Sequence, residues 1–417
     1  MREPRCLLRR ARAPDRRRHP NCARAREDLR PLPRVRPGRV RRARPAASRD
    51  RGDAPRDRTQ PPRPAVTGLS SPLLILIFIA ASGATWFAGV FLSKTTDSLD
   101  FRLGLGAELG GIILLAIAGS LPEVAITVSA AASGNLQLAA GNLIGGIAVQ
   151  TMVLVLCDFV TGQERPLTFL VGALTPVLEG LLVVLVVSGV LMGALLPPTT
   201  AIGGVVSSAS LAIVVLWTVG IYVINRVRKD PRWSVSMPGS RPGRLHHREA
   251  RPEQPHPFAA HSTAVVAGIF AAACAVTLIA GVGLEVTGST LADRAGINGV
   301  IFGATILATA TALPEISSGI AAVRLGDHAL AVGDIFGGNA FQVCLFLVAD
   351  LIAGAPVLPS AGRLNSWLAS LGVGLTAIYA MGVIARPMRC RFRLGPDSLL
   401  AIVVFGLGIT GLVVVHG

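Results

Sequence analysis

The sequence predicts an all-α polytopic membrane protein, with ten transmembrane helices arranged as two inverted-topology five-helix repeats. Three observations carry that expectation. Hydrophobic residues make up 51% of the 417 residues and charged residues only 15%, and the mean hydropathy is +0.57, a composition suited to lipid rather than water. Two stretches of the chain are copies of each other at a fixed offset. Five apolar runs lie on each side of one basic segment, and an odd number per half turns the second copy upside down relative to the first.

Taken in order, residues 1–65 come first. From Met1 to Arg63 there are 22 Arg against 7 acidic residues, a net of +15 out of the chain's +16, so the remainder is almost neutral. This Arg/Pro/Ala tract has few large apolar residues to bury and is expected to be disordered. It has no apolar h-region of a signal peptide. A basic arm for nucleic acid or anionic lipid, a solvated tail and an untranslated upstream stretch are the three readings. The abrupt change of composition near Val66 favours the last, so no nucleic-acid partner is expected.

From Ser71 onward, apolar runs of bilayer-spanning length, roughly 20 residues each, fall near 72–92, 104–132, 136–158, 167–194, 202–224, 262–285, 297–322, 329–353, 365–385 and 397–415. These divide into a first repeat over 66–224, a basic loop over 225–261 and a second repeat over 262–417. The loop carries Arg226, Arg228, Lys229, Arg232, Arg241, Arg244, Arg248 and Arg251, which places it in the cytoplasm by the positive-inside rule. Arg102, Arg165, Arg324 and the Arg386–Arg393 cluster fall on the same side, and Arg294 and Arg363 on the other. Both ends of the bundle then face outward. Six scattered cysteines show neither CxxC nor ligand spacing, so no disulfide framework or zinc site is expected.

The duplication is specific. AIAGSLPE followed by AAGNLIGGIAVQ recurs as ATATALPE followed by AVGDIFGGNAFQ, offset by 192 residues, with 16 identities in the 46 ungapped positions from Ile113. Pro122 and Pro314 lack an N–H and clash with the carbonyl four residues back, freeing the carbonyls of Ala118 and Ala310. Bare backbone at membrane depth survives where it lines a cavity or is buried in protein. Glu123 and Glu315 follow as intramembrane acids, costly unless compensated. Two carboxylates with carbonyl and hydroxyl oxygens suit a hard cation such as Ca²⁺. The glycines at 141, 145, 146, 333, 337 and 338 have the spacing of close helix packing. Packing does not account for Asn142, Gln150, Asp334, Asn339 and Gln342. Within each copy the residues eight apart, Asn142 with Gln150 and Asp334 with Gln342, lie within about 80 degrees on a helix.

These residues resemble the calcium/cation antiporter superfamily, the sodium/calcium exchanger group, whose pattern GTSLPE followed by GNxxGSNxxN occurs twice. The resemblance covers both repeats and implies a 5+5 inverted fold, alternating access, and exchange of Ca²⁺ against Na⁺ or H⁺ at the cell membrane. By position it implies Glu123 and Glu315 as central ligands, with the Ser120 and Thr311 hydroxyls beside them. Gln150 and Gln342 stand where the family has Asn or Asp. Gly145-Gly146 and Gly337-Gly338 replace Gly-Ser, and Gly119-Ser120 and Thr311-Ala312 replace Thr-Ser, so four family hydroxyls are missing. Ile147 replaces the Asn kept as Asn339, and Asp334 adds a carboxylate where the family usually has Asn. Fewer neutral oxygens and one more acid weaken sodium coupling and leave room for protons, which also neutralise carboxylates.

Inorganic cations and membrane lipid are thus the expected partners, with no cofactor. An antiporter of monovalent cations that moves no calcium is the alternative, and an ion channel a remote one. No nucleophile–base constellation or cofactor loop suggests an enzyme. Among the remaining acids, Glu179 falls mid-run and reads as a proton relay or a seam residue. Glu108 and Glu285 read as interfacial, and Asp158 and Asp350 as boundary residues that close their helices.

Overall fold

The computed structural model describes residues 68–103, 117–161, 165–229, 258 and 260–416. The expected disorder of 1–65, most of the basic loop and Glu108 lie outside the described residues. Among the described residues the fold is helical without strands, apart from the isolated bridges Ile202–Val206 and Arg391–Leu394. Helices α1 (Ser71–Leu103), α2 (Leu121–Ala132), α3 (Leu136–Thr161), α4 (Leu167–Leu170), α5 (Thr175–Gly193) and α6 (Ser208–Lys229) precede the basic loop. After it come α7 (Thr263–Ala295), α8 (Gly299–Thr311), α9 (Leu313–Arg324), α10 (His328–Gln342), α11 (Leu345–Ala353), α12 (Gly362–Ala385) and α13 (Pro396–His416).

Each of the ten apolar runs contains helix. Among the described residues, seven helices are long and apolar enough to cross a membrane by length and composition, counting α10 and α11 as one. The bent pair α8–α9 adds an eighth, and Leu121–Ala132 and Pro396–Leu412 are shorter apolar helices.

Proline at the first or second position of α2, α5 and α9 starts each of them, because its fixed φ is already that of a helix's first turn. Pro176 also corrects the reading of the run 167–194. Gly172 at φ 62 interrupts it, α5 restarts at Thr175, and Glu179 therefore lies in the second turn of a helix rather than at the middle of one.

Helices α3, α5, the α10–α11 span and α12 make the interior, with 67%, 61%, 61% and 61% of their apolar windows buried, against 22% for α1 and α6 and 28% for α7. The outer helices turn large apolar side chains outward, such as Ile79 and Ile279, the expected dress of a surface that meets acyl chains.

Two pairs of long-range contacts tie the halves together, and their donors, Arg102 and Arg294, are 192 apart, as are the acceptors Leu69 and His261. Arg102, in the last turn of α1, donates to the carbonyls of His261 and Phe258 just before α7, both at 2.7 Å. Arg294, in the last turn of α7, donates to Ser71 Oγ at 2.9 Å and the Leu69 carbonyl at 2.7 Å at the start of α1. The end of each helix therefore meets the start of the other, so α1 and α7 run antiparallel.

Asp158 and Asp350 do more than close helices. Asp158 accepts from Leu167 N at 2.6 Å, and from Gly395 N at 2.7 Å and Ser398 Oγ at 2.6 Å at the start of α13. Asp350 accepts from Val357 N at 2.7 Å, and from Ser207 N at 2.9 Å just before α6. Each carboxylate thus satisfies orphan donors at the start of the last helix of the opposite half.

Candidate cation site

Both Pro-Glu pairs sit at helix breaks. A turn at Ser120 precedes α2, and a turn at Ala312 separates α8 from α9 with a bend of 44°. Pro122 and Pro314 withhold the N–H that Ala118 and Ala310 would otherwise receive, and both alanines are buried, at the mouths of the breaks. The outer helices close over these points. A methyl added at Gly89 of α1 would stand 2.5 Å from Pro314 Cβ, and one at Gly281 of α7 would stand 3.0 Å from the Pro122 carbonyl oxygen. Only glycine permits that approach, so each break is covered by the first helix of the opposite half.

The first carboxylate is fully buried. Glu123 Oε1 accepts from Gln150 Nε2 at 2.9 Å, a bond from α3 to α2. The Thr311 hydroxyl, from the other half, lies beside the same carboxylate while donating to the Ala308 carbonyl at 3.2 Å. Glu315 is half-buried, and a methyl added at Gly119 of the other half would stand 3.9 Å from its Oε1. Glu123 and Asp334 act on it electrostatically. Glu123 Oε2, Glu315 Oε2, Asn142 Oδ1 and Asn339 Oδ1 are buried acceptors without a protein partner. Buried oxygens in that condition cost free energy unless something positive or a donor meets them.

The remaining expected residues divide. Ser120, Glu315 and Asp334 line one cleft of about 30 Å³ together with Gly89, Ser93 and Ser318, room for about one water. Asn339 is wholly buried and donates to Thr151 Oγ1 at 3.2 Å, joining α10 to α3. Asn142 is wholly buried with both side-chain polar atoms unpartnered. Gln342 turns away from the carboxylates. Its Nε2 donates to the carbonyls of Leu143 at 3.0 Å and Asn142 at 3.4 Å, and it fills the space beside Gly146.

Two residues were missed at the sequence level. Ser318 donates to Asp334 Oδ2 at 2.8 Å, and Thr151 receives Asn339. Ser318 could have been found, because it lies three residues after Glu315 and so shares its helix face.

The acids expected at interfaces or seams also move. Glu285 is 2% exposed and accepts from Ser129 Oγ at 2.7 Å. It is buried inside the bundle rather than exposed at the end of a span, and α7 continues ten residues beyond it to Ala295. Glu179 is buried with Oε2 unpartnered, against Gly333.

The model of the sodium/calcium exchanger protein family matches residues 73–226 and 265–415. The protein of Alkalimonas amylolytica provisionally named antiporter CaxA is 25% identical over 289 residues, covering 69% of this chain and 82% of that one. Inner membrane protein YrbG of Escherichia coli K12 is 26% identical over 302 residues, covering 71% and 82%. The crystal structure of the H⁺/Ca²⁺ exchanger CAX superposes with a TM-score of 0.56 at 15% identity, covering 83% of this chain and 86% of that chain. This last likeness is one of fold.

Proposed function

We propose a transport function from one premise: the chain belongs to the sodium/calcium exchanger protein family, and is accordingly a cation antiporter and a multi-pass integral membrane protein. The finer reading is exchange of Ca²⁺ against a monovalent cation, by alternating access around Glu123 and Glu315. The halves are read as inverted-topology repeats of five spans, which puts the ion site at their interface near the midplane. The antiparallel α1–α7 pair and the reciprocal aspartate contacts support that reading.

The observation that carries the site is the pairing of two acids at broken helices, Glu123 fully buried and Glu315 half-buried, each with a buried, unpartnered Oε2, and each approached by the counterpart position of the other half. Two facing carboxylates carry about −2, and moving them uncompensated past a low-dielectric barrier costs several kcal/mol. The site therefore reorients when neutralised and stalls when empty. One Ca²⁺ neutralises it, as do two protons or two or more Na⁺. Antiport follows, because the empty carrier does not return.

The environment of Glu315 favours protons over sodium as the driving ion. Gly119 and Ala312 supply no hydroxyl, and Asp334 adds an acid. The test is Ca²⁺ uptake into sealed vesicles under an imposed pH or sodium gradient, with the membrane potential clamped. Uptake driven by the pH gradient is expected. Uptake driven by sodium and indifferent to pH would return the chain to sodium coupling, and monovalent exchange without Ca²⁺ movement would sink the calcium reading.

A further inference from the structure

The cleft at Glu315 has a shadow. Adding or subtracting 192 from its lining residues gives a second set, of which Gly281, Leu284, Pro122, Glu123, Thr311 and Asn142 are members, and all six are buried. The contacts correspond as well as the positions do. Gly89 lies on Pro314 in the first set, and Gly281 lies on Pro122 in the second. One set lines a cleft and the other is packed shut.

The two sets point to opposite faces. Ser93 lies toward the Arg102 end of α1, and Ser318 toward the Arg324 end of α9. α1 runs on past Gly89 to Arg102, which bonds the carbonyls of Phe258 and His261 at the end of the basic loop, and the positive-inside rule puts Arg324 of α9 on the same face. In the shadow set, the position of Ser93 is taken by Glu285, which lies toward the Arg294 end of α7. Glu285 stands one helical turn beyond Gly281, the point where α7 meets the Pro122 carbonyl. Its partner Ser129 lies six residues beyond Glu123 on α2, in the same direction. A carboxylate sealed inside a membrane bundle against one hydroxyl is costly, and the proposed exchange step gives it no task.

We propose that the buried set is the wall of a second access path to the same pair of carboxylates, closed in this state, and that Glu285 is the carboxylate a cation meets on that path. The inference rests on the inverted-repeat reading above. It makes the two paths chemically unlike: a hydroxyl at Ser93 guards one, and an acid at Glu285 guards the other. The path with the acid concentrates divalent cations, and the path with the hydroxyl releases them.

The test uses the full chain in sealed vesicles and a cationic, membrane-impermeant methanethiosulfonate reagent added to one side at a time, with modification located by mass spectrometry. Ser93→Cys is expected to react only from the face of the basic loop, and Glu285→Cys only from the opposite face. No modification of Glu285→Cys from either side, or modification from the same face as Ser93→Cys, overturns the path. A second arm keeps the side chain's shape. Glu285→Gln should raise half-saturating Ca²⁺ about tenfold when Ca²⁺ is applied at the opposite face, and change it less than about twofold at the basic-loop face. An equal change at both faces, or none, overturns the cation contact. The labelling arm needs no transport, so a wild-type protein that moves no Ca²⁺ would sink the calcium reading while the path is still decided.

Discussion

Glu123 and Glu315 occupy matched positions in two copies of one stretch, yet their surroundings differ. Glu123 is sealed, bonded by Gln150 and flanked by Thr311. Glu315 lines a cleft, faces Gly119 where its twin faces Thr311, and shares its field with Asp334. On α3, a methyl at Gly145 would run into Ala304 of α8. The stretch that corresponds to α8, residues 107–119, lies largely outside the described residues. Duplication therefore supplied two similar carboxylates, and divergence at a few neighbouring positions gave them different company.

The strongest challenge to the comparison is to neutralise each acid in turn. Glu123→Gln and Glu315→Gln should each reduce Ca²⁺ exchange by about a hundredfold or more in vesicles, with the protein still inserted and folded. Wild-type flux in either variant would make that acid structural and the pair a fiction. A large difference between the two would mean that the sealed carboxylate alone does the binding.

Next in size is a glycine. Gly145→Ala should lower stability by about 1–3 kcal/mol through overpacking against Ala304, read as a fall in thermal midpoint in detergent. An unchanged midpoint would mean that the contact between α3 and α8 yields without cost.

The glutamines separate binding from packing. Gln150→Ala removes a donor to a buried carboxylate, worth about 1.5–3 kcal/mol. Half-saturating Ca²⁺ should rise by about tenfold or more while the thermal midpoint moves little. Gln342→Ala removes a tie to the Asn142 and Leu143 carbonyls, so the midpoint should fall with half-saturating Ca²⁺ nearly unchanged. The smallest effect expected is a gain. Gly119→Thr gives Glu315 the hydroxyl that Glu123 already has beside it, and the sodium dependence of Ca²⁺ uptake should strengthen by a few-fold. No change in sodium response would detach the hydroxyl count from the choice of driving ion.

Much of this was legible before any coordinates. The helix breaks at Ser120 and Ala312 follow from two prolines, and the inner helices follow from runs too apolar for water. Partner choice was not legible, because the fixed offset treats Gln150 and Gln342 as equals. Only packing shows that Gly146 leaves room for Gln342 to turn toward two carbonyls. Asp158 and Asp350 looked like helix ends, since their partners at Gly395 and Ser207 are 237 and 143 residues away. Glu285 was misplaced for a simpler reason: α7 is longer than one bilayer crossing needs, so the apolar run ended before the helix did.

The crossed aspartate contacts bear on how the chain is made. A ribosome releases the first half with Asp158 facing no Gly395 and with the start of α6 lacking Asp350. The first half thus enters the bilayer with a debt of one carboxylate and one orphan amide; Asp350 of α11 meets the amide, and only α13, the last helix, meets Asp158. Completion of the polymer, rather than insertion of any single segment, is the moment at which the assembly locks. Quality control that samples newly made protein before α13 arrives would meet an open, unsatisfied half, and two halves expressed as separate chains should be degraded alone and rescued together.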